Sequence, residues 1–233
     1  MFRPFNEYYL VAYLANLTST PGSKANKYFE TFMSTSGEPV GDGAYPVHKS
    51  YGGYDLLTDQ PHVHMSSFIP QFNYYLARGY QNNPYYSALN TRWLKADRLF
   101  WSQALDESSK ISGMPVLNKT WGAGAGPCPP PTWYCVDRID SSPDLVISAP
   151  IMAGFLPNAD TPELRQEINT QLEWMYENDV CTYPVSPYKI LWRCSVKKPD
   201  WKSGNVDSID FSTMILGYAT NFLPDNFYNT YAA

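Results

Sequence analysis

Positive charge is scarce in this chain: 17 Lys and Arg stand against 22 Asp and Glu in 233 residues, for a formal net charge of -5. A stripe of basic residues that could follow a phosphate backbone is missing, so no nucleic-acid partner is expected. Apolar runs of the roughly 20 residues needed to cross a bilayer are missing too, so no membrane partner is expected. Met1-Phe2-Arg3-Pro4 runs directly into a helix-periodic segment, without the apolar stretch and cleavage site of a secretory leader. A serine nucleophile elbow is absent, and the glycine-rich run Trp121 to Pro127 lacks the Lys-Ser/Thr that a phosphate loop needs. Its glycines instead let backbone approach a bound ligand closely. His62 and His64, two apart, would point to different sides of a helix, and with His48 they find no third spaced ligand or cysteine pair. No metal and no cofactor are expected.

Cysteine is limited to four residues, and they fall in two local pairs: Cys128 with Cys135 across a proline-rich loop, and Cys181 with Cys194 across another. Local disulfides are geometrically reasonable, although four cysteines allow three connectivities. Asn16-Leu17-Thr18 and Asn118-Lys119-Thr120 are glycosylation acceptor tripeptides. Together these features favour a secreted, extracellular eukaryotic protein. A secreted chain that opens inside a helix without its leader is expected to be truncated at its N-terminus. Aromatic residues are abundant, 16% of the chain with 19 Tyr and 7 Trp. Such rings suit sugar faces, although most aromatic side chains serve a core.

The fold class is mainly α, because no strand alternation is sustained enough to build a large sheet. Residues 1–233 read as one domain. Periodicity predicts helices over Asn6–Leu17, Ser23–Met33, His62–Gly79, Tyr85–Glu107, Ser148–Phe155, Pro162–Glu177 and Ser208–Phe222. Pro70 should kink or end the third. Thr161, Pro162 and Glu163 give the sixth three start signals in order. The joining loops, 39–60, 113–144 and 179–207, are unusually long, and long ordered loops tend to build sites.

Two carboxylates stand out. Glu7 opens the run Phe5 to Ala15, in which Leu10, Val11 and Leu14 form one stripe and the acid sits at the N-terminal end, where it can face a cleft. Asp210 opens the helix Ser208–Phe222, sharing a face with Met214 and Tyr218. Either could serve only to complement a helix dipole, yet an acid at the mouth end of each of two apolar helices is what a two-carboxylate site requires. Asp137, Asp140 and Asp144 form a third block, in which Asp137 and Arg138 could be a surface pair and Asp140 a turn residue.

In order and spacing, FNEYYLVAYLA, HVHMSSFIPQF, WGAGAGP, SPDLVISAPIMAGFLP and SIDFSTMILGY resemble the catalytic half of the glucoamylase-like glycoside hydrolases that include the endo-β-1,2-glucanases. The resemblance covers nearly the whole chain. It implies a partial (α/α)6 toroid of helical hairpins with long loops, the C-terminal half of a barrel whose other helices lie upstream. It further implies Glu7 as general acid and Asp210 as general base, with Tyr8, His64, Trp121, Asp144 and Trp201 on the substrate side. Where the family has Asp-Gly-Thr, this chain has Asp144-Leu145; where the family continues to Asp-Phe-Arg, it has Phe68-Ile69-Pro70. These departures suit a divergent branch.

The implied reaction is inverting hydrolysis of a β-linked glucan, the substrate an oligo- or polysaccharide. Burial beside Tyr8 and Tyr9 would keep Glu7 protonated, while Asp210 would need water or hydrogen-bond donors to stay charged. The altered motifs also allow a non-catalytic carbohydrate-binding product. A polysaccharide lyase would want Arg or Lys beside a uronate, and none cluster around the motifs.

Overall fold

The computed structural model describes residues 5–32, 47–59, 62–112, 119–224 and 227. Its helices are α1 (Tyr9–Leu17), α2 (Lys24–Phe32), α3 (Phe68–Leu76), α4 (Arg78–Gln81), α5 (Pro84–Ser112), α6 (Ala149–Gly154), α7 (Pro162–Glu177) and α8 (Ser208–Ala219). The long loops are not featureless. They carry β1 (Val47–Tyr51) and β2 (Tyr54–Thr58), β3 (Ala125–Pro127) and β4 (Tyr134–Val136), β5 (Val146–Ser148), and β6 (Thr182–Val185), β7 (Tyr188–Leu191) and β8 (Arg193–Ser195). These pair as two-stranded antiparallel ribbons, β1 with β2, β3 with β4, β5 with β8 and β6 with β7. The β1–β2 turn is Gly52-Gly53, both with positive φ (54° and 86°), the conformation a two-residue hairpin demands.

Local rules place several elements. Thr161 caps α7 by accepting from the Leu164 backbone N–H at 3.1 Å, with Pro162 and Glu163 in the first turn, so this helix matches its predicted span. The predicted helix from His62 through Gly79 starts later, at Phe68, which puts Pro70 in the first turn of α3, where its missing N–H leaves no bond unmade. The same tolerance lets Pro150 sit near the start of α6.

Helix α5 is the spine of the core. Leu89, Trp93, Leu94, Ala96, Trp101 and Leu105 are buried along it at helical spacing. Phe5 and Tyr80 pack against it, with ring centroids 5.7 Å apart for Phe5 and Trp93 and 4.4 Å for Tyr80 and Tyr86 at the start of α5. Helix α1 joins this cluster through Tyr9 and Tyr13. The expected Leu10–Val11–Leu14 stripe is therefore corrected: Val11 and Leu14 face solvent, 62% and 52% exposed.

Helices α6 and α8 pack tightly across small residues. A Cβ added at Gly217 would lie 1.9 Å from the Ala153 carbonyl oxygen and 2.9 Å from the Gly154 Cα. Both local cysteine pairs are joined: Cys128 to Cys135, with Cα atoms 5.6 Å apart, and Cys181 to Cys194, at 4.8 Å. The first ties the β3–β4 ribbon, and the second fastens the end of the α7 loop to β8.

Because the α6–α8 contact leaves no room for a methyl group, Gly217→Ala is expected to lower stability by about 3 kcal/mol. Chemical denaturation measures it, and an unchanged midpoint would show that the two helices are not held at this distance.

Candidate active site

The site is organised by the glycine-rich segment Trp121 to Pro127, threaded between two parts of the fold. On one side, the Ser67 backbone N–H donates to the Ala123 carbonyl at 2.7 Å, and the Ala123 N–H donates to Asp97 Oδ2 of α5 at 3.0 Å. On the other, Asp137 N–H donates to the Gly124 carbonyl at 2.9 Å and Ser148 N–H to the Gly122 carbonyl at 3.0 Å. The Ser67 hydroxyl also donates to Asp97 and accepts from Trp93 Nε1. Burial pushes the Asp97 carboxyl up to about 6, against the pull of these donors.

Two of the glycines make space for acids. A Cβ at Gly124 would lie 2.6 Å from Asp210 Oδ2 and 2.7 Å from Arg193 Nη1; one at Gly126 would lie 2.6 Å from Asp207 Oδ2. Asp210, in the first turn of α8, is 1% exposed and accepts from the Ser148 hydroxyl at 3.0 Å. Arg193 Nη1 stands 3.8 Å from the same oxygen. Loss of water raises the Asp210 carboxyl to about 6, and Arg193 and Ser148 hold it from rising further.

Arg193 is itself buried. It donates from Nη2 to Asp137 Oδ2 at 2.9 Å and from Nε to the Pro127 carbonyl at 3.1 Å. Asp137 also accepts from the Ser142 hydroxyl at 2.7 Å, and burial raises its carboxyl while Arg193 opposes the rise. Asp137 and Arg138 are thus no surface pair: Asp137 is fully buried. Asp140 instead reaches Lys49 at 3.2 Å.

Beside Asp210 opens a cavity of about 250 Å³, lined by Phe68, Ala125, Tyr134, Asp207, Ser208 and Ile209. Asp207 Oδ2 is buried there and finds no hydrogen-bond partner among the described residues. The Tyr134 phenol is pushed up by partial burial and then by the negative charges of Asp207, Asp210 and Glu7, with Arg193 opposing. Glu7 lies exposed in the turn before α1, and its charge is the smallest of these influences on Tyr134. Asp59, at the end of β2, feels Glu7 as well: burial and that charge raise its carboxyl, while an Asn6 side-chain bond lowers it.

The expected burial of Glu7 does not hold, because the Asn6–Tyr8 turn leaves its side chain exposed and Tyr8 is 57% exposed beside it. His64 is buried edge-on to Tyr51, 5.8 Å between centroids, and burial with the nearby Lys49 pushes its imidazole down to about 4. Trp121 lies in the core, 3% exposed against Phe155. Asp144 and the half-buried Trp201 sit by the Cys128–Cys135 disulfide, Trp201 packing on it with Val146. The Asn16 amide oxygen accepts from Asn26 at 2.7 Å, and Asn118 lies outside the described residues. One grouping of possible metal ligands occurs among the described residues, Cys128, Cys135 and Asp144, and its two sulfurs are joined to each other. No thiolate is left to bind an ion.

No family model matches the sequence, and no curated protein matches it. Solved structures do share the fold. A candidate glucoamylase from Bacteroides uniformis superposes with a TM-score of 0.66 at 16% identity, over 99% of this chain and 52% of that one. The endo-β-1,2-glucanase from Chitinophaga pinensis, solved with sophorotriose and glucose, gives 0.68 at 16% identity over 98% and 51%. A candidate glucoamylase from Bacteroides caccae gives 0.64 at 16% identity over 98% and 50%. The chain has a glucoamylase-like fold. It spans about half the length of these structures.

In this glucoamylase-like fold the sequence alone does not single out Arg193, Asp97 and Ser148. A faint signal for Arg193 exists, a lone charge inside the apolar run Ile190 to Val196. Asp137→Ala would strand its guanidinium in the interior and should lower stability by about 3–5 kcal/mol. Urea denaturation gives the value; a loss below about 1 kcal/mol, the level of a surface ion pair, would show that the pair is open to water.

Proposed function

We propose that this chain is part of a secreted glycoside hydrolase that cleaves a β-linked glucan with inversion, Glu7 acting as general acid and Asp210 as general base. The observation that carries the reading is the buried Asp210 carboxyl, held by Ser148 and Arg193 beside a cavity lined by Tyr134 and Phe68, in a fold shared with a glucanase solved with sophorotriose and glucose; Glu7 enters as the exposed acid of the turn before α1. Inversion needs two carboxyl groups facing a bond from opposite sides, one protonated and one ionised. Ser148 and Arg193 supply the donors that keep a buried Asp210 ionised above about pH 6. A sugar bound in the cavity against Tyr134 and Phe68 would displace water from around Asp210.

Completion of an (α/α)6 toroid by further helices is consistent with the apolar side chains that α1 and α8 turn outward, Val11, Leu14 and Leu17 on one and Ile209 and Ile215 on the other. Two disulfides in a chain of this size fit an extracellular location.

The observed burial favours a second assignment, in which Asp210, the carboxyl already raised, is the acid and exposed Glu7 the base. Leaving-group chemistry separates the two. On β-1,2-, β-1,3- and β-1,4-glucans Glu7→Gln and Asp210→Asn should each lower kcat by at least about 100-fold, in the range typical of a lost general acid or base. On an aryl glycoside with a good leaving group, Glu7→Gln should regain turnover and Asp210→Asn should not; the opposite pattern exchanges the roles. With Asp210 as base, protonation abolishes function, so kcat/KM should fall as the pH drops through about 6. Full activity of both variants would remove the hydrolase site from these residues altogether.

A further inference from the structure

Arg193 and Ser148 are directly opposite each other in the β5–β8 ribbon, and partners across an antiparallel pair project to the same face. Both side chains end at one atom. Ser148 Oγ lies 3.0 Å from Asp210 Oδ2, and Arg193 Nη1 lies 3.8 Å from it. The guanidinium has 0% side-chain exposure and is fixed at its other corners by Asp137 Oδ2 and the Pro127 carbonyl. Its Nη1 has no hydrogen-bond partner among the described residues. The remaining charges facing Asp210 are acidic: Asp207 at the N-terminus of α8 and Asp137 after β4, with the ionisable Tyr134 of β4 beside them. Arg193 is thus the one cation that reaches this carboxylate among the described residues.

From this we infer that Arg193 is a positioning residue, which holds the Asp210 carboxylate in place and ionised from behind, through an anchor on Asp137, and does not itself touch substrate. The inference rests on the reading of Asp210 as the base. Gly124 is part of the same device, since any Cβ there would occupy the space in which Arg193 Nη1 and Asp210 Oδ2 approach. A lysine at 193 could not replace the guanidinium, because its three N–H groups radiate from one nitrogen, whereas Asp137, Pro127 and Asp210 are met by three different nitrogens of Arg193. The neighbouring Cys194–Cys181 disulfide and the β5–β8 ladder fix the backbone from which the side chain projects.

The test follows the Asp210 carboxyl by carbon-13 NMR in chain labelled at aspartate, the resonance assigned by its loss in Asp210→Asn. Arg193→Gln should raise the Asp210 titration midpoint by about 1–3 pH units, the range for removing an adjacent cation. Arg193→Lys should recover only part of that shift. The acid limb of kcat/KM should move up by the same amount, with KM unchanged because no substrate contact is lost. Should Arg193→Gln fail to fold, Gly124→Ala wedges the pair apart with both charges retained and should give a shift of the same sign. An Asp210 midpoint unchanged in the folded variant overturns the inference. Full turnover by Asp210→Asn would instead remove the base assignment while leaving the NMR shift as measured, so the two failures are distinct.

Discussion

A guanidinium without access to water must be surrounded by acceptors, and much of the molecule beside the cleft is arranged to surround Arg193. The Pro127 carbonyl and Asp137, at the two ends of the β3–β4 ribbon, accept its hydrogen bonds, and Asp210 at the start of α8 stands 3.8 Å away as its second ion partner. Each must come within a few ångströms of one side chain on β8. An unpaired charge there would be strongly destabilising, whereas the paired cluster is tolerated. The cluster therefore acts as a specification of geometry more than as a source of net stability. It fixes where the glycine-rich segment, the β3–β4 ribbon and the first turn of α8 stand relative to one another.

The glycine-rich segment makes this convergence sterically possible. Its carbonyls and N–H groups are engaged on both sides, by Ser67 and Asp97 on one and by Asp137 and Ser148 on the other. Side chains at Gly124 or Gly126 would collide with Asp210, Arg193 or Asp207. The segment is thus a spacer between the aromatic core around α5 and the acidic wall of the cleft. Asp97, buried in α5, transmits the position of that core to the segment through Ala123. Packing at Trp93 and geometry at Asp210 are linked by an unbroken chain of hydrogen bonds through Ser67, Asp97 and the segment backbone.

Legibility in the sequence followed the range of the interaction. Helix α7 was readable from Thr161, Pro162 and Glu163 because capping acts over four residues. The local disulfides were readable among three possibilities because their partners are 7 and 13 residues apart. The buried face of α1 was misread: hydropathy favours Leu10, Val11 and Leu14, but the neighbours that α1 meets, Phe29 and Tyr80, are aromatic and pack on Tyr9 and Tyr13. Arg193 left only the faint mark of a lone charge in an apolar run, and nothing local pointed to its partners. Its partner Asp137 lies 56 residues away, with no local spacing to announce it. Asp210 stood out because a helix start marks it, while Asp207, Ser148 and Arg193 beside it did not, because ribbons and loops bring them together.

Departures from the resembled motifs carry a similar lesson. Leu145 stands where the family pattern has glycine, yet its φ is +45°, in the left-handed region that glycine adopts most readily. The chain holds a conformation natural to glycine with a side chain that makes it costly. What holds it is on either side: Leu145 N–H donates to the Ser142 carbonyl at 3.0 Å, its own carbonyl accepts from Val196, and the Asp144 carbonyl accepts from the Ser195 hydroxyl at 2.7 Å. Those bonds tie the entry of β5 to β8, the ribbon whose far end presents Ser148 and Arg193 to Asp210. A bulky residue in a strained conformation persists only where the surroundings over-determine it. Here the surroundings are the β5–β8 ribbon that presents Ser148 and Arg193 to Asp210, and its bonds hold the turn in a conformation that its local sequence does not favour.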